Sequence, residues 1–193
     1  MLTFFLFAPA VGALLVLFLS REQEQHARYV ALFFSLLAFA ASILVFVSFD
    51  PSVEGYQFVD QFDWIAPEVA GFKVQYMVGV DGLSAPLVLL LGMLSVVSVL
   101  ISFNVDKRPK EYFAWLLLLE TAVAGVFLSL DLVQFFLFWE LELLPMFMLI
   151  SIWGTGRARY SAMKFLIYTL AGSALMLVGF LVLGFEVGSF EIA

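Results

Sequence analysis

Four ionisable side chains fall inside apolar stretches of this chain. Glu140 and Glu142 lie in FFLFWELELLPMF (135–147), Glu120 in LLLLETAVAG (116–125), and Lys164 in RYSAMKFLIYTLAGSA (159–174). A lone carboxyl among Phe and Leu has little work as a surface charge, and its natural chemistry is to take up and release a proton. Burial favours the neutral carboxyl and a nearby cation favours the carboxylate, so a group held between the two changes protonation when the cation moves. Glu140 and Glu142 are two residues apart and point about 200° apart around a helix of 3.6 residues per turn, so they cannot serve one cavity. Pro145 follows five residues after Glu140 and has no N–H to offer the carbonyl of Leu141, so a kink is expected there. A freed carbonyl near a carboxylate invites an ordered water or a second polar side chain. Glu140 is therefore the candidate proton-transfer residue; the competing reading is a neutral carboxyl that only hydrogen-bonds a neighbouring helix.

The surroundings of these groups follow from composition. The chain of 193 residues is 64% hydrophobic and 13% charged, with a mean hydropathy of +1.07. Soluble domains carry about 45–50% apolar and about 25% charged residues. This is the composition of an integral membrane protein. There is no cysteine and a single histidine, His26, which excludes disulfides, Cys-ligated iron–sulfur clusters and a bis-histidine haem. The net charge of −7 comes without a basic stripe, so nucleic acid is not the expected partner.

Six stretches have the length and apolarity of membrane-spanning helices: 3–20, 28–49, 84–103, 112–130, 132–153 and 162–185. The first has the length of a signal-peptide core but no basic residue before it and no clear cleavage site after it, so it reads as retained. Arg21 and Arg28 lie between spans 1 and 2, Lys107, Arg108 and Lys110 between spans 3 and 4, and Arg157 and Arg159 between spans 5 and 6, with Lys164 just inside span 6. The connection between spans 2 and 3 instead carries Asp50, Glu54, Asp60, Asp63, Glu68 and Asp81 against Lys73. The positive-inside rule then puts both chain ends outside. Residues 1–49 hold helices 1 and 2, 50–83 an extracytoplasmic loop, 84–111 helix 3 and a cytoplasmic loop, and 112–193 helices 4–6.

Within the loop, YQFVDQFDW and FKVQYMVGV alternate apolar and polar residues at about period two, and APEVAG between them supplies Pro67 and Gly71, so a small hairpin is expected. Asp131, in the three-residue joint between spans 4 and 5, is suited to cap span 5. Glu120 has the small residues Ala122, Ala124 and Gly125 nearby, which let helices approach closely, so Glu120 is expected to reach span 5 or a partner's helix. Its role, functional or structural, stays open, and so does that of Glu142. Lys164 lies within two turns of the basic end, where snorkelling is the default; with Tyr168, Thr169 and Ser173 nearby it is also a candidate for the proton path.

Four segments carry a resemblance. VGVDGLSAPLVLL (78–90), FFLFWELELLPMFMLISIWG (135–154), KFLIYTLAGSALML (164–177) and GSFEI (188–192) are similar to the antiporter-like subunits of proton-translocating NADH:quinone oxidoreductase, respiratory complex I, and among them to the subunit M (mitochondrial subunit 4) type. The resemblance implies an all-α polytopic membrane protein forming part of a larger inverted-repeat fold. It implies that Glu140 matches the family's essential glutamate of helix 5, which pairs with a lysine on a broken helix 7. It implies sister antiporter-like subunits and the lipid bilayer as partners, in a bacterial inner membrane. No cofactor is expected on this chain, with NADH, flavin, iron–sulfur clusters and quinone on other subunits. Family members have many more helices, so the chain is expected to be the N-terminal part of a longer subunit. The alternatives are an Mrp-type cation/proton antiporter or membrane hydrogenase subunit of the same lineage, and a structural or assembly protein whose buried acids only join helices.

Overall fold

The computed structural model describes residues 1–20, 25–65 and 74–192, the side chains of 63–65 and 74 excepted. Among these residues six helices and one two-stranded sheet follow one another: α1 (Leu2–Phe18), α2 (Ala27–Ser48), β1 (Gln57–Ile65), β2 (Val74–Val80), α3 (Ser84–Ile101), α4 (Pro109–Leu128), α5 (Leu132–Trp153) and α6 (Ala158–Val187). Each sequence-predicted span coincides with a helix to within a few residues. Helices α2–α6, with the 3₁₀ turn Ser102–Asn104 added to α3, are long and apolar enough to cross a membrane. The 17 residues of α1 cover about 25 Å, at the short end for a span.

Helix α4 is the hub of the bundle and packs against α1, α2, α3 and α5, while α6 leans on α5. Two apolar clusters fill the bundle. One gathers Leu2, Phe5, Leu6, Ala38, Val45, Val78, Val88 and Leu128 toward the hairpin end. The other gathers Val16, Ala27, Ala31, Val99, Phe113 and Leu117 toward the opposite, basic end. At the α2–α3 seam Gly92 sits close against Phe39 and Ser42, and such close approach lets dispersion replace the hydrophobic effect that lipid cannot supply. At the α4–α5 seam a Cβ added to Gly125 would stand 2.1 Å from the ring of Phe138.

The expected hairpin is present: β1 and β2 pair antiparallel, with Gln61 opposite Met77 and Phe62 opposite Tyr76, and with irregularities at each end. Phe58 takes up a left-handed conformation (φ 56°) at one of them, as a bulge residue can. The turn expected at Pro67 and Gly71 lies outside the described residues, as do Arg21, Glu68 and Lys73 of the charge pattern. The sheet continues beyond the hairpin. Ser129 bridges Val78, and Glu191 bridges Asp131; Leu130 N–H donates to Met77 O at 2.9 Å and Ile192 N–H to Leu130 O at 2.8 Å. The α4–α5 joint thus lies between β2 and the segment after α6, bridged to each by single residue pairs. Gly188, at φ 77°, ends α6 in the left-handed conformation that turns the chain back, and Phe190 is then buried against Gly184. GSFEI is a stop signal followed by a short return segment that bridges Asp131 through Glu191.

The GVDGLS segment also has a local reason. Asp81 Oδ1 accepts from the N–H groups of Leu83 (3.1 Å) and Ser84 (2.7 Å), while Ser84 Oγ accepts from Asp81 N–H at 2.8 Å. These reciprocal bonds satisfy free donors at the start of α3. The Ser84 N–H above all holds the Asp81 carboxyl below its ordinary value.

Candidate functional site

Glu120 and Glu140 each lie eight residues from the α4–α5 joint, Glu120 before Leu128 and Glu140 after Leu132. At 1.5 Å per residue both therefore sit about 12 Å below the joint, deep in the membrane. They face opposite ways. Glu140 shares one face of α5 with Leu143, Leu144 and Phe147, and this face meets Leu166 and Leu170 of α6. The residues around it are apolar, and Glu140 Oε1 is buried with no hydrogen-bond partner among the described residues. Pro145 is buried within α5, which runs as one helix from Leu132 to Trp153.

Glu120 is 5% exposed and turns toward α2 and α3. Its Oε2 accepts from Ser35 Oγ at 3.3 Å, and Ser95 of α3 stands beside the same carboxyl. Its Oε1 has no hydrogen-bond partner among the described residues. The expected approach of Glu120 to span 5 is thus not what the structure contains. Gly125 lies on another face of α4, and it is Gly125 that admits Phe138 of α5. The partners of Glu120 were missed because single serines in apolar spans read as filler. The usable signal was spacing: Ser95, Ser98 and Ser102 recur at i, i+3 and i+7 on α3, a helical stripe of hydroxyls.

Lys164 is exposed on α6, with its ammonium 5.9 Å from the Tyr160 ring centre and 6.0 Å from that of Tyr168. Among the described residues no ion pair joins it to Glu140 or Glu120. Glu142 is partly exposed on another face of α5 from Glu140. Asp131 Oδ1 accepts from Val133 N–H (2.9 Å) and Gln134 N–H (3.0 Å) at the start of α5. Burial pushes the Asp131 carboxyl up, against the pull of those donors. The site residues therefore form no single cluster: two acids stand back to back across the α4–α5 pair, and the lysine stands apart.

At the basic end, Trp153 Nε1–H donates to Lys107 O at 2.6 Å, Lys110 donates to the carbonyl of Leu19, and Arg28 approaches Asp106 at 3.7 Å. At the other end Asp60 Oδ2 accepts from Thr3 N–H (3.2 Å) and Thr3 Oγ1–H (2.8 Å), fixing the hairpin to the first turn of α1. Burial works against charge on Asp60, but the Thr3 donors and the N-terminal ammonium outweigh it and hold the carboxyl below its ordinary value.

Residues 129–193 match the family model described as NADH:quinone oxidoreductase/Mrp antiporter, TM. Over 183 residues, 94% of its length, the chain is 40% identical to the NAD(P)H-quinone oxidoreductase chain 4 3 of Picosynechococcus sp., of which it covers 32%. Over its whole length it is 37% identical to the NADH-quinone oxidoreductase subunit M of Rhodobacter capsulatus, of which it covers 37%. Its fold matches one chain of the respiratory complex I of Thermus thermophilus with a TM-score of 0.83 at 24% identity, covering 99% of this chain and 38% of that one. The chain spans about a third of the length of the curated relatives it matches. Five described helices long and apolar enough to cross a membrane, beside the shorter apolar α1, and the fold shared with a respiratory complex I chain make it a multi-pass integral membrane protein, similar over nearly its whole length to subunit M (chain 4) of NAD(P)H:quinone oxidoreductases.

Proposed function

We propose that this chain supplies part of the proton path of a proton-translocating NADH:quinone oxidoreductase, with Glu140 as its proton-carrying residue. The observation that carries the reading is the Oε1 of Glu140, buried at the α5–α6 boundary among apolar side chains with no hydrogen-bond partner among the described residues. A carboxylate in mid-membrane costs about 2.5–3.5 kcal/mol by insertion scales. An unpaired acid at that depth is poor glue for helices. It is well suited to pick up a proton and to release it when a cation approaches from elsewhere in the assembly. The names of the relatives support the enzyme class. The redox chemistry, with NADH, flavin, iron–sulfur clusters and quinone, belongs to other subunits in this reading, and the sister membrane-arm subunits are the partners.

The charge pattern supports a bacterial plasma-membrane orientation with the N-terminus outside and Lys107, Arg108 and Lys110 in the cytoplasm. The test is Glu140→Gln in the full-length subunit, with Glu142→Gln as control, reading proton pumping and quinone reduction together. Loss of both with Glu140→Gln, in an assembled complex, is the expected result. Normal pumping by Glu140→Gln overturns the reading and leaves a structural acid. The family model also covers Mrp antiporters, which favours a second reading, cation/proton exchange. Sodium-dependent proton movement without quinone reduction would select it.

A further inference from the structure

The two apolar clusters of the bundle do not meet. On α2, Ser35 stands between Ala31 of one cluster and Ala38 of the other; on α4, Glu120 stands between Leu117 and Ala124; on α3, Ser95 stands between Val88 and Val99. A polar layer thus interrupts the core at mid-membrane. Beside it lies a cleft of about 140 Å³ between α3 and α4, lined by Ser95, Ser98 and Glu120 among leucines and a valine. Glu120 is the one titratable group lining this cleft. Its buried Oε1, with no hydrogen-bond partner among the described residues, is the acceptor a bridging molecule would use, and at about 30 Å³ per water the cleft holds a few.

The hydroxyls continue toward the basic end. Ser102, two turns from Ser95 on the same stripe, shares a hydrogen bond of 2.9 Å with Tyr112 OH, and its own hydroxyl donates to Ser98 O at 2.6 Å. Tyr112 packs edge-on against Trp153, 5.2 Å between ring centres, beside the loop that carries Lys107 and Arg108. From Tyr112 to Glu120 is eight residues of α4, about 12 Å. The distance from the basic end to the acid is therefore short. The Ser102 hydroxyl, which donates to the backbone carbonyl of Ser98, and the Ser98 and Ser95 hydroxyls lie along it, and a hydroxyl can both donate and accept.

We infer that Glu120 is a second protonation site, separate from Glu140 and loaded from the cytoplasmic end along Tyr112, Ser102, Ser98 and Ser95. Tyr112 O–H passes its proton to Ser102 Oγ, whose own proton turns from the Ser98 carbonyl to a water in the cleft. The Ser98 and Ser95 hydroxyls and bridging water each receive one proton and pass one on. Tyr112 is reprotonated from the cytoplasmic side, the proton ends on Glu120, and no electron moves. The inference rests on the proposed function and orientation.

The test uses the assembled complex in sealed vesicles of either sidedness, with dicyclohexylcarbodiimide, which forms a stable N-acylurea on protonated carboxyls in apolar surroundings. Labelling at Glu120 is read by mass spectrometry of its peptide. The expected result is a labelling rate that rises as the pH on the cytoplasmic face falls and ignores the pH of the other face. Ser95→Ala/Ser98→Ala slows labelling and pumping several-fold in an assembled complex, and Ser95→Thr/Ser98→Thr, which keeps the hydroxyls, restores both. Labelling that follows the outer pH, protection by sodium at fixed pH, or full-rate pumping by the double alanine variant overturns the inference. If Glu140→Gln abolishes pumping while the double alanine variant pumps normally, only this second site fails. If Glu140→Gln pumps normally, the proposed function itself fails.

Discussion

The closest seam in the bundle can be tested by adding one carbon. A Cβ at position 125 would stand 2.1 Å from Cγ and Cδ1 of Phe138, whereas carbon atoms in contact prefer about 3.5–4.0 Å. Gly125→Ala must therefore push the Phe138 ring back by about 1.4 Å or part the helices by as much. Phe138 packs against the cluster of Leu2, Phe5 and Leu128, so retreat is resisted. Overpacking of this kind costs about 1–3 kcal/mol. A gain in helix propensity of about 1 kcal/mol offsets part of it, so the net loss of the single variant is small. Coupling is the sharper readout. Shortening the ring with Phe138→Leu should cost less in the Gly125→Ala background than alone, by about 1–3 kcal/mol. Thermal unfolding of the full-length subunit in detergent, followed by tryptophan fluorescence, measures the four-variant cycle. Effects that simply add would refute the argument that Gly125 is present to admit Phe138.

The cap of α5 gives a second expectation: Asp131→Ala lowers stability by about 1 kcal/mol in the same unfolding assay, while Asp131→Asn, which keeps the acceptor and buries no charge, is close to neutral. The hairpin anchor gives a pH dependence. The folded-state value of Asp60 is depressed, so its contribution is fully present above the ordinary carboxylate value of about 3.9 and is lost as pH falls through the lower folded-state value. Hydrogen exchange across β1–β2 should therefore stay slow at pH 5, rise only under more acid conditions, and lose that acid step in Asp60→Asn.

Much of this molecule was legible before any coordinates. Runs of about 20 apolar residues bounded by charges leave the backbone no option in lipid but helix, because each N–H and C=O must be satisfied within the segment. The period-two alternation of 56–64 and 72–80 gave the hairpin, and the short joint with Asp131 gave the antiparallel α4–α5 pair. Glu140, Glu120 and Lys164 stood out because an ionisable group in such a run is costly wherever it points.

Where each of them points was decided by packing. Residue spacing put Glu120 near small residues, but small residues line several faces of α4. The choice fell to Gly125 against Phe138 on one side and Ser35 against the carboxyl on the other. The bridge between Asp131 and Glu191 joins segments sixty residues apart, and no local pattern announces it. A single sequence thus determines what must be helix, what must lie in lipid and which acids are out of place. Only the tertiary structure decides their neighbours, since partner choice depends on surfaces contributed by residues far apart along the chain.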